Sequence, residues 1–146
     1  MYFSALNTWL NQIALSLDDS QKRDLMRKIS LGLKQRTAQR IKNQLDPSGA
    51  KFVPRKRDQI GKKKRTGALF QGIHRQLKTD YTADKASVGF AGRTGNIALI
   101  HHEGRTVKPT RIAQPTAYPV RELVGFSDDD VQWIEQQIHN FMSNLA

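Results

Sequence analysis

The stretch V-G-F-A-G-R-T-G-N-I-A-L-I-H-H-E-G-R, residues 88–105, decides how the middle of this chain folds. Residues 86–90 alternate in a way that predicts a β-strand, and Gly92 with Gly95 predicts a turn after it. The apolar run from Ile97 to His101 is too short for its spacing to separate a helix from a strand, so both stay open. A second segment, Y-P-V-R-E-L-V-G-F at residues 118–126, ends in the same Val-Gly-Phe triplet. Short elements and turns are therefore expected between residues 86 and 126.

Longer helices are expected on both sides of this middle part. Apolar residues recur every three or four positions over residues 3–17 and again over about 20–45, which predicts a helical hairpin with a capping sequence at Asp18-Asp19-Ser20. Gly32 permits a bend or close packing in the second helix. A third helix is expected to start at Thr66 or Gly67 and to carry Leu69, Phe70, Ile73 and Leu77 on one side, and a terminal helix is expected from about Ser127 to Asn144.

These elements together predict an α+β fold in a single domain, residues 1–146. Residues 1–49 form its helical hairpin arm, which the Asp46-Pro47-Ser48-Gly49 sequence ends. Residues 50–66 form a basic loop, and residues 67–146 form a core with a small β-sheet, packed helices and the terminal helix. Within that core, residues 105–113 are a candidate strand or hairpin arm.

The composition of the chain excludes several classes of protein. It has 146 residues and no cysteine, so disulfide bonds and cysteine-ligated metal centres are ruled out. No apolar run approaches the roughly 20 residues that a membrane-spanning helix needs, and no secretory signal is expected at the N-terminus.

The positive charge of the chain is concentrated in one short segment. The net charge is +11, and residues 51–65, here called the basic segment, contain eight basic side chains and one acidic one. Such a segment fits non-specific contact with a nucleic-acid backbone and fits equally well docking on an acidic protein surface, such as residues 128–135 of another copy. Phe52 is its only aromatic residue, which disfavours stacking on single strands. The cations are Lys51, Arg55, Lys56, Arg57, Lys62, Lys63, Lys64 and Arg65.

Residues with catalytic or metal-binding potential do not form a familiar pattern. His101 and His102 are adjacent, so their side chains diverge on a helix and on a strand alike, and no histidine pair has the four-residue spacing of helical zinc sites. We expect one of them to pack and hydrogen-bond while the other faces solvent or a neighbouring subunit. No phosphate-binding loop or nucleophile turn is present. The sequence therefore predicts no enzyme, no cofactor and no metal site.

From residue 67 onward, and more weakly before it, the chain resembles the virion morphogenesis, or tail completion, family of Mu-like and related contractile-tailed phages. The resemblance rests on Leu69-Phe70, Val88-Gly89-Phe90, Ile97-Ala98, His101-His102-Glu103-Gly104, the 118–126 segment, and Asp46-Pro47-Ser48-Gly49 with Phe52 and Pro54. Glu103 and Phe52 depart from the family's usual aromatic residues at their positions. The signature positions, to which the resemblance assigns a structural role, are Gly89, His101, Gly104, Pro119, Arg121, Leu123 and Gly125.

The resemblance implies a non-enzymatic structural protein of the phage neck or tail. Such a protein completes the head-proximal end of the tail and enables head–tail joining, as a closed homo-oligomeric ring that is most often six-fold. The implied partners are further copies of the chain and other neck, tail and connector proteins, and its location is the virion, with assembly in the host cytoplasm. The basic segment would then line an inner face where DNA passes, while the acidic terminal helix meets a neighbour. The alternatives are a small basic nucleic-acid-binding module and a metal-dependent phosphodiesterase.

Overall fold

The computed structural model describes residues 11–12, 15–55 and 69–145. Most of the first predicted helix, residues 3–17, lies outside this range. The parts that are described, residues 11–12 and 15–16, are helical, and Leu17 is buried in the core. The first arm of the expected helical hairpin is therefore only partly described.

The second predicted helix is helix α1, Asp19–Lys42. Asp18 caps it in a reciprocal capping box: its carboxylate accepts a hydrogen bond from the Gln21 amide at 2.8 Å, and its own amide donates to the Gln21 side chain at 3.0 Å. The helix ends three residues earlier than expected, since Gln44 adopts a left-handed conformation with φ of 62°. Its buried apolar stripe consists of Leu25, Ile29, Leu33 and Ile41, as expected. Leu45, the last residue of the expected stripe, is only half-buried.

The chain reverses direction after α1 through Asp46-Pro47-Ser48-Gly49. One carboxylate oxygen of Asp46 accepts hydrogen bonds from the amide and hydroxyl of Ser48 and from the Ala50 amide. A single β-bridge between Leu45 and Lys51 then returns the chain toward the end of α1. Phe52 is buried as a result.

The expected third helix is wrong for the residues that the structure describes. Residues 69–72 form turns, and only a four-residue 3₁₀ helix, Ile73–Gln76, follows. Phe70 has φ of 59°, a left-handed conformation that cannot continue a right-handed helix. The apolar pattern was nevertheless informative, because Leu77 is buried and Leu69, Phe70 and Ile73 pack against the core.

A β-hairpin follows this turn region. Strand β1, Lys78–Tyr81, pairs antiparallel with strand β2, Ala86–Gly89, with Thr79 opposite Val88. Strand β2 confirms the strand predicted at residues 86–90, whereas β1 was not predicted. The hairpin packs on α1.

The turn predicted at Gly92 and Gly95 is wrong, because both residues lie in helix α2, Gly92–Glu103. The ambiguous run from Ile97 to His101 is thus helical. Gly104 ends the helix in a left-handed conformation with φ of 65°, as glycine commonly does. His101, His102 and Glu103 therefore form the last turn of α2.

The remaining chain forms a second small hairpin and a terminal helix. Strands β3, Thr106–Val107, and β4, Thr116–Ala117, pair antiparallel, which confirms a hairpin arm within residues 105–113. Helix α3, Asp128–Leu145, confirms the predicted terminal helix. The Ser127 hydroxyl accepts a hydrogen bond from the Asp130 amide at 3.0 Å, and the Asp130 carboxylate accepts one from the Ser127 amide at 3.1 Å.

Helix α1 packs against two apolar clusters and so connects them. The first cluster contains Leu17, Leu25, Ile29, Leu33 and Ile138 of α3, and Trp133 packs against it. The second contains Ile41, Phe52, Ala98 of α2 and Leu123. Helices with two small antiparallel hairpins confirm the α+β class.

Candidate functional site

Arg121 occupies the centre of a buried junction between distant parts of the chain. Its side chain donates from Nε to the Val53 carbonyl at 2.8 Å and from a terminal nitrogen to the Pro54 carbonyl at 3.2 Å. The residue is 5 % exposed, and burial lowers the pKa of its guanidinium, with the nearby charge of Arg55 as a smaller cause. Arg121 therefore fixes the main chain near the start of the basic segment.

His101 lies beside this guanidinium and makes two contacts with Arg121, one to its backbone and one to its side chain. Its carbonyl accepts a hydrogen bond from the Arg121 amide at 2.7 Å, and its ring Nδ1 lies 3.3 Å from an Arg121 terminal nitrogen. Since a guanidinium only donates, Nδ1 accepts, and the neutral imidazole carries its proton on Nε2. Burial, followed by the charge of Arg121, lowers the pKa of His101.

Aromatic rings pack edge-to-face across the junction. The ring of His101 lies between those of Phe70 and Tyr118, each with a centroid separation of 4.9 Å. Phe70 in turn meets Phe52 at 5.5 Å. This row joins α2 to the turn before β1, to the segment after β4 and to the start of the basic segment, so four separate segments depend on one another here.

Gly104 and Pro119 set the approach of the chain to the junction. A Cβ atom on Gly104 would lie 2.8 Å from the Val120 side chain and 3.1 Å from the Tyr118 carbonyl, so only glycine permits this contact. Pro119 is half-buried between those two neighbours. The signature residues at 101, 104, 119 and 121 thus meet in one place.

Leu123 and Gly125 extend the junction toward α1. Leu123 is fully buried, and its carbonyl accepts a hydrogen bond from Arg40 at 2.8 Å. Arg40 also donates to the Leu45 carbonyl at 3.0 Å, and burial lowers its pKa although carboxylates nearby act in the opposite direction. Gly125 has φ of 148° and packs against the Pro47 ring, a position that a side chain would strain.

Gly89 is the one signature residue away from this junction. It ends strand β2 opposite Lys78, and a Cβ atom there would meet nothing within 4 Å. Nothing in the structure explains why a glycine stands at this position.

The basic segment is described only at its start. Lys51 is exposed and belongs to the β-bridge with Leu45. Arg55 lies close enough to Arg121 for its charge to contribute to the lowered pKa of Arg121. The other six predicted cations lie outside the described residues: Lys56, Arg57, Lys62, Lys63, Lys64 and Arg65. The structure therefore connects the signature residues to the entrance of the basic segment, a relationship that sequence reasoning did not anticipate.

Sequence reasoning also missed two polar contacts that hold other elements against α1. Gln44 donates to the Leu69 carbonyl at 2.7 Å and so holds the turn before β1 against the end of α1. Arg36 donates to Asp130 at 2.7 Å and joins α1 to the start of α3. Asp130 is 4 % exposed, so it is unavailable to a neighbouring copy, whereas Asp128, Asp129 and the later Glu135 are exposed.

The histidines at the end of α2 do not converge on a shared ligand position. Glu103 binds Arg105 at 2.6 Å, and His102 borders a groove of about 330 Å³ between α1, β2 and Phe126. Among the residues that the structure describes, no three histidine or acidic side chains gather in a way that would hold a metal ion. The His101 side chain packs and hydrogen-bonds as expected for one of the pair. No helix within the described ranges is long and apolar enough to span a membrane.

Comparison with known proteins gives matches along nearly the whole chain. The sequence profile of the phage virion morphogenesis family matches residues 1–143. Tail completion protein S of Escherichia phage P2 is 29 % identical over 143 residues, which cover 93 % of this chain and 94 % of that protein. No solved structure matches the chain.

Proposed function

Because the chain belongs to the phage virion morphogenesis family, we propose that it is a structural virion protein that completes the head-proximal end of the tail and thereby enables head–tail joining. It acts without catalysis, as a single-domain subunit of the neck or tail. The observation that carries the proposal is the similarity to a tail completion protein along 93 % of the chain. The match of the family profile to residues 1–143 includes helix α1 and the junction.

Several copies of the chain form a closed ring in this proposal, with about six subunits. Contacts between two different surfaces of neighbouring subunits close a ring when the rotation per subunit permits it. The uneven charge of the chain supports such contacts, since the basic segment and the exposed acids Asp128 and Asp129 are separate parts of the sequence with opposite charge. Other neck, tail and connector proteins bind the two sides of the ring.

The junction around Arg121 has a positioning role in this assembly. Its contacts fix the chain at Val53 and Pro54, which lie in the basic segment directly before Arg55. The main chain at the start of the segment is therefore held against the rest of the subunit, which supports the use of the segment at a defined place in the ring. Its target is either the DNA backbone or an acidic surface of a neighbouring protein. The subunit is in the host cytoplasm during assembly and in the tail and neck of the finished virion.

Inactivation of the gene in the phage that encodes it tests the proposed function. Electron microscopy of the lysate should show filled heads and separate tails, and supply of the intact chain from a plasmid should restore joined particles. A matched plasmid with Arg111→Lys, an exposed position, should restore joining equally well. Normal infectious particles in the absence of the chain would overturn the proposal.

The ring is tested separately by the mass of the purified protein. Native mass spectrometry and sedimentation should give a closed oligomer of one size, either alone or on isolated tails. A protein that stays monomeric alone, and that is present as a single copy on each tail, would contradict the ring but not the role in tail completion.

A further inference from the structure

Helix α1 has more basic side chains than its own contacts use. It contains eight basic residues and two acidic ones. Arg36 pairs with Asp130, Arg40 binds backbone carbonyls, and Lys28 pairs with Asp24 at 3.5 Å. The other five side chains have neither an ion pair nor a hydrogen bond with any part of the chain that the structure describes: Lys22, Arg23, Arg27, Lys34 and Lys42.

Four of these side chains form a row on one broad face of the helix. Arg23, Arg27, Lys34 and Lys42, here called the α1 cation row, follow one another at steps of four, seven and eight residues, which place them within about 100° of one another around the helix axis. The row extends over about 28 Å at 1.5 Å per residue. Lys34 is half-buried and the other three are exposed, whereas the apolar stripe of α1 faces the core.

We propose that the α1 cation row binds the phosphate backbone of duplex DNA. Cations that are spaced along a helix, and that have no partner among the described residues, can each neutralise a phosphate and release its counterions, which requires no base contacts. This surface lies outside the basic segment. The proposal rests on the charges of α1 and not on the role in tail completion.

The composition of this face favours DNA over a protein partner. Protein interfaces depend on buried aromatic and apolar anchors, but Leu31 is the only exposed large apolar side chain of α1. The helix contains no aromatic residue, so the stacking platforms that bind single-stranded nucleic acid are missing from it. A row of cations without anchors or rings is best matched by a regular duplex backbone.

A matched pair of charge variants tests the proposal on the full-length protein. The α1 variant combines Arg23→Gln, Arg27→Gln, Lys34→Gln and Lys42→Gln, because glutamine removes the charge and favours helices. The control variant combines Arg75→Gln, Lys85→Gln, Arg93→Gln and Lys108→Gln, four exposed cations on other elements. Both variants lose two arginines and two lysines and keep the basic segment. Fluorescence anisotropy measures binding to a mixed-sequence duplex of about 30 base pairs at several salt concentrations.

We expect the α1 variant to bind the duplex at least about ten-fold more weakly near 100 mM salt. The slope of its binding constant against salt concentration should correspond to about three to four fewer released counterions. The control variant should change affinity less than about three-fold. Equal losses in the two variants would show that only net charge matters and would overturn the proposal. Duplex binding that persists in the α1 variant, while binding to isolated tails is lost, would also overturn it in favour of a protein partner.

A smaller change guards against a folding defect. Arg23→Gln with Arg27→Gln alters only exposed positions and should produce about half of the salt-dependence change. Its thermal unfolding should match that of the unmodified protein. An unchanged salt dependence in this folded variant would contradict the proposal.

Discussion

Trp133 of α3 packs its six-membered ring directly on Gly32 of α1, so closely that a Cβ atom on Gly32 would overlap the ring. Any other residue at position 32 would force α1 and α3 apart. Gly32→Ala improves intrinsic helix propensity by about 1 kcal/mol, but the overlap costs about 1–3 kcal/mol or more. We expect net destabilisation, measured by urea unfolding. Gly72→Ala is the control, since a Cβ atom there meets open space; equal stability of both variants would contradict this packing.

The pair of Arg36 and Asp130 should contribute to stability through a second contact between the same helices. Asp130→Ala leaves Arg36 without its carboxylate and removes the Ser127 capping partner. Loss of one member of a buried pair costs about 3–5 kcal/mol, and the partial exposure of Arg36 reduces this to about 2–3 kcal/mol. The neighbouring Asp129→Ala, at an exposed position, should change stability by less than about 0.5 kcal/mol. Denaturant titration of both variants gives the comparison.

Arg121→Lys should weaken the junction although it keeps the charge. A lysine ammonium cannot reach the Val53 and Pro54 carbonyls and the His101 ring in the same planar arrangement. The loss of buried hydrogen bonds should cost about 2 kcal/mol in the free energy of unfolding. Amide hydrogen exchange at Phe52, which donates to the Gln44 carbonyl, should accelerate. Arg111→Lys is the control, and no change at Phe52 in Arg121→Lys would refute the contribution of the guanidinium.

His101 should make the fold sensitive to acid. Its pKa is lowered in the folded state, so the unfolded chain binds the proton more readily. Its stabilising contribution is complete above the ordinary histidine pKa of about 6.5 and is lost as the pH falls from there through the lower folded pKa. Protonation would place a second cation against Arg121. We expect His101→Gln to reduce the loss of stability between about pH 7.5 and pH 5.5; His139→Gln, at an exposed position, should leave it unchanged.

The sequence predicted those elements whose apolar spacing matched their final structure. Helices α1 and α3 and strand β2 are of this kind, and the match to residues 1–143 confirms the family resemblance. Strand β1 carries no such pattern: Lys-Thr-Asp-Tyr is held by its pairing with β2 rather than by its own burial. Single-sequence periodicity cannot report an element that depends on a partner strand.

The two glycines at the start of α2 explain why the sequence predicts a turn where the structure has a helix. Gly95 was interpreted as a turn residue, yet its amide donates to the Ala91 carbonyl within the helix. A Cβ atom there would lie only 3.0 Å from the Phe90 carbonyl oxygen, so any larger residue would require this part of the main chain to shift. The side chains of Arg40 and Gln44 donate to carbonyls of residues up to 83 positions away. The spacing of residues along the sequence cannot predict contacts over such distances.

Two arginines, the buried Arg121 and the half-buried Arg40, hold the chain by its main-chain oxygens. Arg121 binds the carbonyls of Val53 and Pro54, and Arg40 binds those of Leu45 and Leu123. A carbonyl is present whatever side chain stands beside it, so substitutions at positions 53 and 54 leave these bonds available. Evolution can therefore vary residues 53 and 54 while the main chain at the start of the basic segment keeps its place against the subunit.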